Sequence, residues 1–302
     1  MIFRKFVCTL AEVQTVHVLG GPDASCTFAR QFLGDISNIH IHPIATNDCW
    51  VRDYGPTFVS RKDDQSLVGV CWRYNAWGGK YPPWEEDAKA ATHICETLKC
   101  PRSNSMLHCE GGALDTDGNG TVLSTSSCLL NPNRNPGWKP KMVEEELKLQ
   151  LGVEKIIWVD GGGLDGDDTD GHIDQIARFV APSEVVAASC NDVTDPNFRR
   201  LEENVRLLRN STDSQGRPLT VHTLPIPPAR FVEGQRVPES YCNFMLANEL
   251  VIVPSFRNQA TDEYALDLFQ QLYPARRVVA LDAYDLIWGL GAFHCASQQQ
   301  PN

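Results

Sequence analysis

Cys295 stands seven residues before the end of the chain, in Gly289-Leu-Gly-Ala-Phe-His-Cys-Ala-Ser-Gln-Gln-Gln-Pro301. Small residues lead up to it and polar ones follow, a setting that fits a tight turn and can meet a substrate. A cysteine nucleophile needs a base, an acid that orients the base, and an anchor for the substrate. His294 is adjacent, but neighbours on an extended segment point apart. It reads as a structural residue rather than as the base for Cys295.

Three upstream segments could supply the missing parts. Thr46-Asn-Asp-Cys-Trp-Val-Arg-Asp-Tyr-Gly-Pro56 brings Trp50 near Asp53, and a tryptophan beside carboxylates suits a guanidinium or ammonium group. If the segment enters a strand, the two lie on opposite faces and a turn or bulge must join them. The bland alternative is a surface loop whose Asp–Arg pair is worth under about 1 kcal/mol. Cys109-Glu-Gly-Gly-Ala113 sets Glu110 before two glycines that allow close backbone approach, with an exposed turn acid as the alternative. In Asp165-Gly-Asp-Asp-Thr-Asp-Gly-His-Ile-Asp174, His172 and Asp174 are two apart and share a face if extended. An acid/base and a carboxylate could there meet one substrate, and the preceding acids should raise the His172 pKa and favour a cation. A metal cluster at Asp167, Asp168, Asp170 and His172 is the rival, and a solvated acidic loop the bland reading.

Other candidates fail on context. Gly161–Gly166 fits the glycine pattern of a dinucleotide loop, but acids crowd the place of the helix and would repel a pyrophosphate. Asp115–Gly120 resembles the start of a calcium loop whose twelfth position would be Ser126 rather than glutamate. Trp77 and Trp84 either form an aromatic lid or pin their loop. His17, His40, His42, His93, His108 and His222 read as core or surface residues.

The elements that must position these groups are short. Strand candidates are Thr15–Leu19, Ile39–Pro43, Leu67–Trp72, Val122–Ser124, Lys155–Val159, Val185–Ala188, Leu250–Pro254 and Val278–Leu281, apolar runs bounded by turn residues. Helices are expected over Glu85–Lys99, Met142–Leu151, Asn197–Leu208 and Thr261–Leu272, and a hairpin turn at Asp117-Gly-Asn-Gly120. The order suggests an α/β chain built from a repeated strand-strand-helix-strand unit. With 302 residues, 42% apolar, and no Gly/Ser linker, residues 1–302 read as one globular domain. The net charge of −11 argues against a nucleic-acid partner and suits a small cation. Eleven scattered cysteines without a CxxC pair argue against a disulfide framework or zinc knuckle and point to a reducing, cytoplasmic setting. No apolar run is long enough to span a membrane, and the basic, apolar start is too short for a secretory signal.

Seven of these segments, in order, are similar to the agmatine deiminase family, grouped with bacterial-type peptidylarginine deiminases in the guanidine-modifying superfamily. They are Asn47–Pro56, Asn75–Lys80, Glu110–Gly112, Leu129–Pro136, Asp168–Asp174, Pro238–Phe244 and His294–Pro301. The resemblance implies a pentein fold, a five-bladed α/β propeller of ββαβ units. Because the family usually begins with an extra segment, the first unit is expected to be truncated. It further implies Cys295 as nucleophile, His172 as general acid/base, and Asp53 and Asp174 as carboxylates gripping the guanidinium. Glu110 would support His172 and the substrate, and Trp50 would wall the pocket; an acidic outer pocket at Asp168 or Asp170 would favour the distal amine of agmatine over a carboxylate. The implied reaction is hydrolysis of agmatine to N-carbamoylputrescine and ammonia through a covalent thiouronium, a step toward putrescine, without cofactor or metal. No nucleic-acid or membrane partner is expected, and a homodimer is allowed. The alternatives are the same chemistry on free or peptidyl arginine, an inactive binding homologue, and a metal-dependent enzyme using the acids of 165–174.

Overall fold

The computed structural model describes residues 2–301. Its strands form five principal sheets and a small hairpin. The first sheet pairs β1 (Val16–Leu19) and β2 (Ile39–His42) in parallel. The second joins β3 (Thr57–Ser60), β4 (Leu67–Arg73) and β5 (Arg102–His108); the third joins β6 (Asp115–Thr116), β7 (Thr121–Ser124) and β8 (Lys155–Trp158). The fourth holds β9 (Ala177–Ala181), β10 (Glu184–Ser189) and β11 (Thr220–Pro225). After the hairpin β12 (Phe231–Val232) and β13 (Gln235–Arg236), the fifth holds β14 (Met245–Ala247), β15 (Leu250–Ser255) and β16 (Arg277–Asp282).

One plan repeats four times. A leading strand pairs antiparallel with the middle strand, a helix follows, and the chain returns to a third strand parallel to the middle one. A parallel return needs a crossover, which the helix supplies. The repeated strand-strand-helix-strand unit expected from the sequence is thus present. The first sheet has two strands around the helix Asp23–Leu33, where the others have three.

Each crossover helix turns a narrow apolar stripe to its sheet. Pro140–Leu151 buries Val143 and Leu147, Asn197–Arg209 buries Leu201, Val205 and Leu208, and Gln259–Leu272 buries Ala265 and Phe269. These spacings of three and four residues are one helical face. Gly152, at φ +66°, ends the first of these helices, its N–H returning to the Lys148 carbonyl.

The expected strands and helices form within a few residues. The helices Ile2–Ala11 and Asp23–Leu33, the strands β3, β5, β6, β9, β11 and β14, and the hairpin β12–β13 lie outside those expectations. β5 reads Arg-Ser-Asn-Ser-Met-Leu-His, too polar to look like a strand. Tertiary partners explain it: Ser103 and Ser105 donate at 2.6 Å to Gln150 and Glu146 of the covering helix.

Candidate active site

The loops that end just before each leading strand carry the chemistry. Val51–Tyr54 is a helical turn before β3, Gly111–Ala113 a 3-10 turn before β6, Ile173–Ile176 a helical turn before β9, and Tyr241–Asn243 a 3-10 turn before β14. The segment after β16 brings Cys295. The turn at Val51–Tyr54 supplies the bend needed between Trp50 and Asp53. Asp174 lies in a helical turn capped by His172, so the shared extended face expected for that pair is not how they meet. The turn aims both inward instead.

Asp53, Glu110, His172, Asp174 and Cys295 are all buried and come together here. Gly112 is where they converge. A Cβ there would lie 2.6 Å from His172 Nδ1, 2.7 Å from Asp53 Oδ1 and 3.2 Å from Asp174 Oδ2. Only a residue without a side chain lets the three approach one another. Gly111 meets the same limit, since its Cβ would fall 2.1 Å from the Arg52 carbonyl oxygen.

Each acid is held by a different partner. Asp53 accepts from Trp77 Nε1 at 2.9 Å and from the Gly112 N–H at 3.0 Å. Trp77 therefore pins a site carboxylate, resolving its lid-or-pin alternative. Burial nevertheless raises the Asp53 pKa, against the pull of His172. Glu110 receives Arg134 Nε at 2.9 Å, both side chains being buried. Burial alone would raise Glu110; its contacts to His172 and Arg134 outweigh that and hold it at about 2. Asp174 is pushed up to about 7 by burial, with His172 opposing and Asp53 reinforcing.

His172 sits between two of them, Nδ1 3.6 Å from Asp53 Oδ1 and Nε2 3.7 Å from Glu110 Oε2, and neither nitrogen has a hydrogen-bond partner. Burial opposes its charge, but Asp53, Cys128 and Glu110 raise its pKa well above the ordinary value. The acids ahead of it in sequence, expected to do this, are not the source. Cys295 Sγ lies 3.5 Å from Asp174 Oδ2, and burial with the charges of Asp174 and Asp53 raises its pKa well above the usual thiol value. These surroundings favour the charged form of His172 and the neutral form of Cys295.

His294 is more than a packing residue. Its Nδ1 is 2.7 Å from Asp174 Oδ2, while burial and the charges of Arg178 and Arg52 keep the ring neutral. The contact is a hydrogen bond to the carboxylate, not an ion pair.

Asn243 was missed as a site residue. Its Oδ1 accepts from the backbone N–H groups of Ala292 and His294 at 3.1 Å and of Cys295 at 3.3 Å, and its Nδ2 donates to Cys295 Sγ at 3.0 Å. The only available signal was its place in Pro238–Phe244. Arg134, within Leu129–Pro136, likewise carries no chemical signal in the sequence beyond its place in that segment.

Trp50 packs against the Cys295 loop as a wall. A Cβ on Gly289 or Gly291 would lie 2.8 or 2.7 Å from its ring. Asp168 and Asp170 are not free acids: Asp170 pairs with Lys80 at 2.9 Å and with Arg134, and Asp168 accepts from the Tyr81 hydroxyl. Of the histidines read as isolated, His17, His40 and His42 stack together on β1 and β2, with His17 Nδ1 2.8 Å from His42 Nε2.

The arrangement offers carboxylates for a planar cation, an imidazolium for proton transfer and a thiol beside them. Three comparisons bear on it. The Porphyromonas-type peptidyl-arginine deiminase family profile matches residues 1–301. Agmatine deiminase of Pseudomonas syringae pv. tomato is 39% identical over 290 residues, covering 88% of this chain and 78% of that protein. Among solved structures, Enterococcus faecalis agmatine deiminase superposes with a TM-score of 0.92 at 32% identity, covering 99% of this chain and 87% of that one. A cysteine-to-serine variant of C. jejuni agmatine deiminase with substrate bound gives 0.90 at 28% identity, covering 98% and 85%.

Proposed function

The chain belongs to the Porphyromonas-type peptidyl-arginine deiminase family, and from that premise we propose that it hydrolyses agmatine to N-carbamoylputrescine and ammonia. The observation that carries this reading is the convergence of Asp53, His172 and Asp174 on Gly112, with Cys295 Sγ 3.5 Å from Asp174. A guanidinium is a poor electrophile because its charge is spread over three nitrogens. Asp53 and Asp174 fix its plane and hold its charge, so that sulfur meets carbon in line.

The substrate's own cation completes the nucleophile. Placed beside the thiol, it offsets the carboxylate charges that raise the Cys295 pKa. As the substrate binds, the thiol proton passes to solvent; the thiolate forms the C–S bond, and His172 gives its proton to the departing nitrogen as the C–N bond breaks. Ammonia leaves and an S-linked thiouronium remains. His172, now neutral, takes one proton from the attacking water and a C–O bond forms; the C–S bond then breaks, the second water proton restores the thiol, and the ureido product is released. Glu110, kept ionised by Arg134, holds His172 in place through the cycle. Eleven cysteines without a disulfide are consistent with this chemistry running in the reducing cytoplasm, and no helix among the described residues is long and apolar enough to cross a membrane.

A second reading, the same chemistry on arginine, draws on Lys80. Its ammonium on Asp170 is a counter-charge that would suit a carboxylate better than the distal amine of agmatine. Ammonia release from agmatine, free arginine and a peptidyl arginine, measured side by side, tests the assignment. Agmatine should lead by at least about tenfold in kcat/KM, a difference of about 1.4 kcal/mol. Equal rates on all three would overturn it.

A further inference from the structure

We propose that Glu110, Cys128 and His172 form a site for a thiophilic divalent cation, zinc fitting best, whose occupancy silences the candidate active site. The silencing rests on the role given to His172 above; the binding does not.

The geometry comes first. Cys128 Sγ and His172 Nε2 each lie 3.7 Å from Glu110 Oε2, and the three donor atoms all fall within 4.8 Å of one another. Ligand atoms about 2.0–2.3 Å from a tetrahedral zinc stand roughly 3.3–3.6 Å apart. The set is within a few tenths of an ångström of that spacing along its two edges to Glu110. One nitrogen, one sulfur and one oxygen suit zinc and exclude the all-oxygen preference of calcium and magnesium.

Independent observations point to a ligand. Both ring nitrogens of fully buried His172 lack a hydrogen-bond partner, an arrangement that costs free energy unless something occupies the space between them and the neighbouring acids. The surroundings also match an outer shell. Arg134 Nε holds Glu110 Oε1 at 2.9 Å, leaving Oε2 toward Cys128 and His172. Asp53 Oδ1 faces the opposite ring nitrogen of His172 at 3.6 Å, as carboxylates do behind metal-bound histidines. Cys128 itself, on the turn Ser126–Leu129, faces Glu110 and forms no bond to the substrate in the proposed reaction. Three protein ligands leave a fourth position for water. A metal on Nε2 engages the ring that the mechanism above needs free for proton transfer.

Cobalt(II) reports the site directly, because cysteinate–cobalt charge transfer absorbs in the near ultraviolet. One equivalent added to the whole metal-free protein should produce that band, and zinc should remove it. Cys295→Ser should keep the band, while Cys128→Ser, which retains a donor to Glu110, should lose it. In turnover, zinc should inhibit agmatine hydrolysis and a chelator restore it. Whatever turnover Cys128→Ser retains should require at least about tenfold more zinc for half-inhibition than the parent's does. A band that survives in Cys128→Ser, or disappears in Cys295→Ser, overturns the proposal. Should Cys128→Ser not fold, zinc X-ray absorption on the unsubstituted protein decides: one sulfur ligand supports the site and none sinks it. Cysteine-128-dependent cobalt binding without agmatine turnover would refute the proposed function alone. Turnover without such binding would refute only the metal site.

Discussion

The amide of Asn243 joins two tasks, holding three backbone N–H groups of the Cys295 loop and donating to the thiol itself. Asn243→Ala leaves those buried donors unpaired, at about 1–3 kcal/mol each before relaxation. We expect kcat to fall by roughly 10- to 100-fold with KM nearly unchanged, since the guanidinium carboxylates are untouched; steady-state kinetics read the split. A large KM effect with intact kcat would contradict this role. Asp174 carries the pH dependence. With its pKa pushed up to about 7, it gains a proton, and loses its grip on a cation, as pH falls through that value. Agmatine affinity for a Cys295→Ser protein, followed by calorimetry, should weaken below about pH 7, and Asp174→Asn should flatten the profile. The stability contribution runs the other way. A raised acid makes its full contribution to the folded state below its ordinary range, where folded and unfolded chains both hold the proton, and that contribution is lost as pH rises from there through about 7.

At the scale of elements, the site depends on where turns fall rather than on strand or helix faces. Turns before four leading strands and the segment after β16 each deliver one or two groups, so five short irregular pieces build one centre on a rigid frame. Gly112 is the tightest point of that assembly. In Gly112→Ala the added methyl would have to displace His172 and Asp53, whose atoms lie 2.6 and 2.7 Å from its position. Gly112 is absent from the positive-φ glycines, so alanine suits its backbone and the penalty is steric. We predict a loss of kcat/KM of at least about 100-fold, some 2.7 kcal/mol, with circular dichroism unchanged. Activity within a few-fold of the parent would mean that the three side chains need not converge there.

For the whole molecule, substrate binding should register as stability. A Cys295→Ser protein held at agmatine concentrations near 100 times Kd should gain about 2.7 kcal/mol against unfolding, measured by denaturant midpoint, while putrescine at the same concentration, lacking the guanidinium, should give less. Equal shifts would move recognition away from Asp53 and Asp174. The repeating unit was legible in the sequence because apolar strand runs and turn glycines are local signals. Cys295, His172, Glu110, Asp53 and Asp174 stand in motifs readable without a fold. β5 was illegible because its serines are satisfied by a helix about forty residues away. Asn243 looked like one polar residue among many, His294 like a bystander, and Asp168 and Asp170 like free acids. Their partners, Cys295, Asp174, Lys80, Arg134 and Tyr81, lie 36 to 120 residues distant. The sequence by itself determined which chemical groups are present and the period on which they recur. The tertiary structure alone decided which charges meet, and so which groups are protonated, because desolvation and Coulomb interaction depend on distance in space and not along the chain.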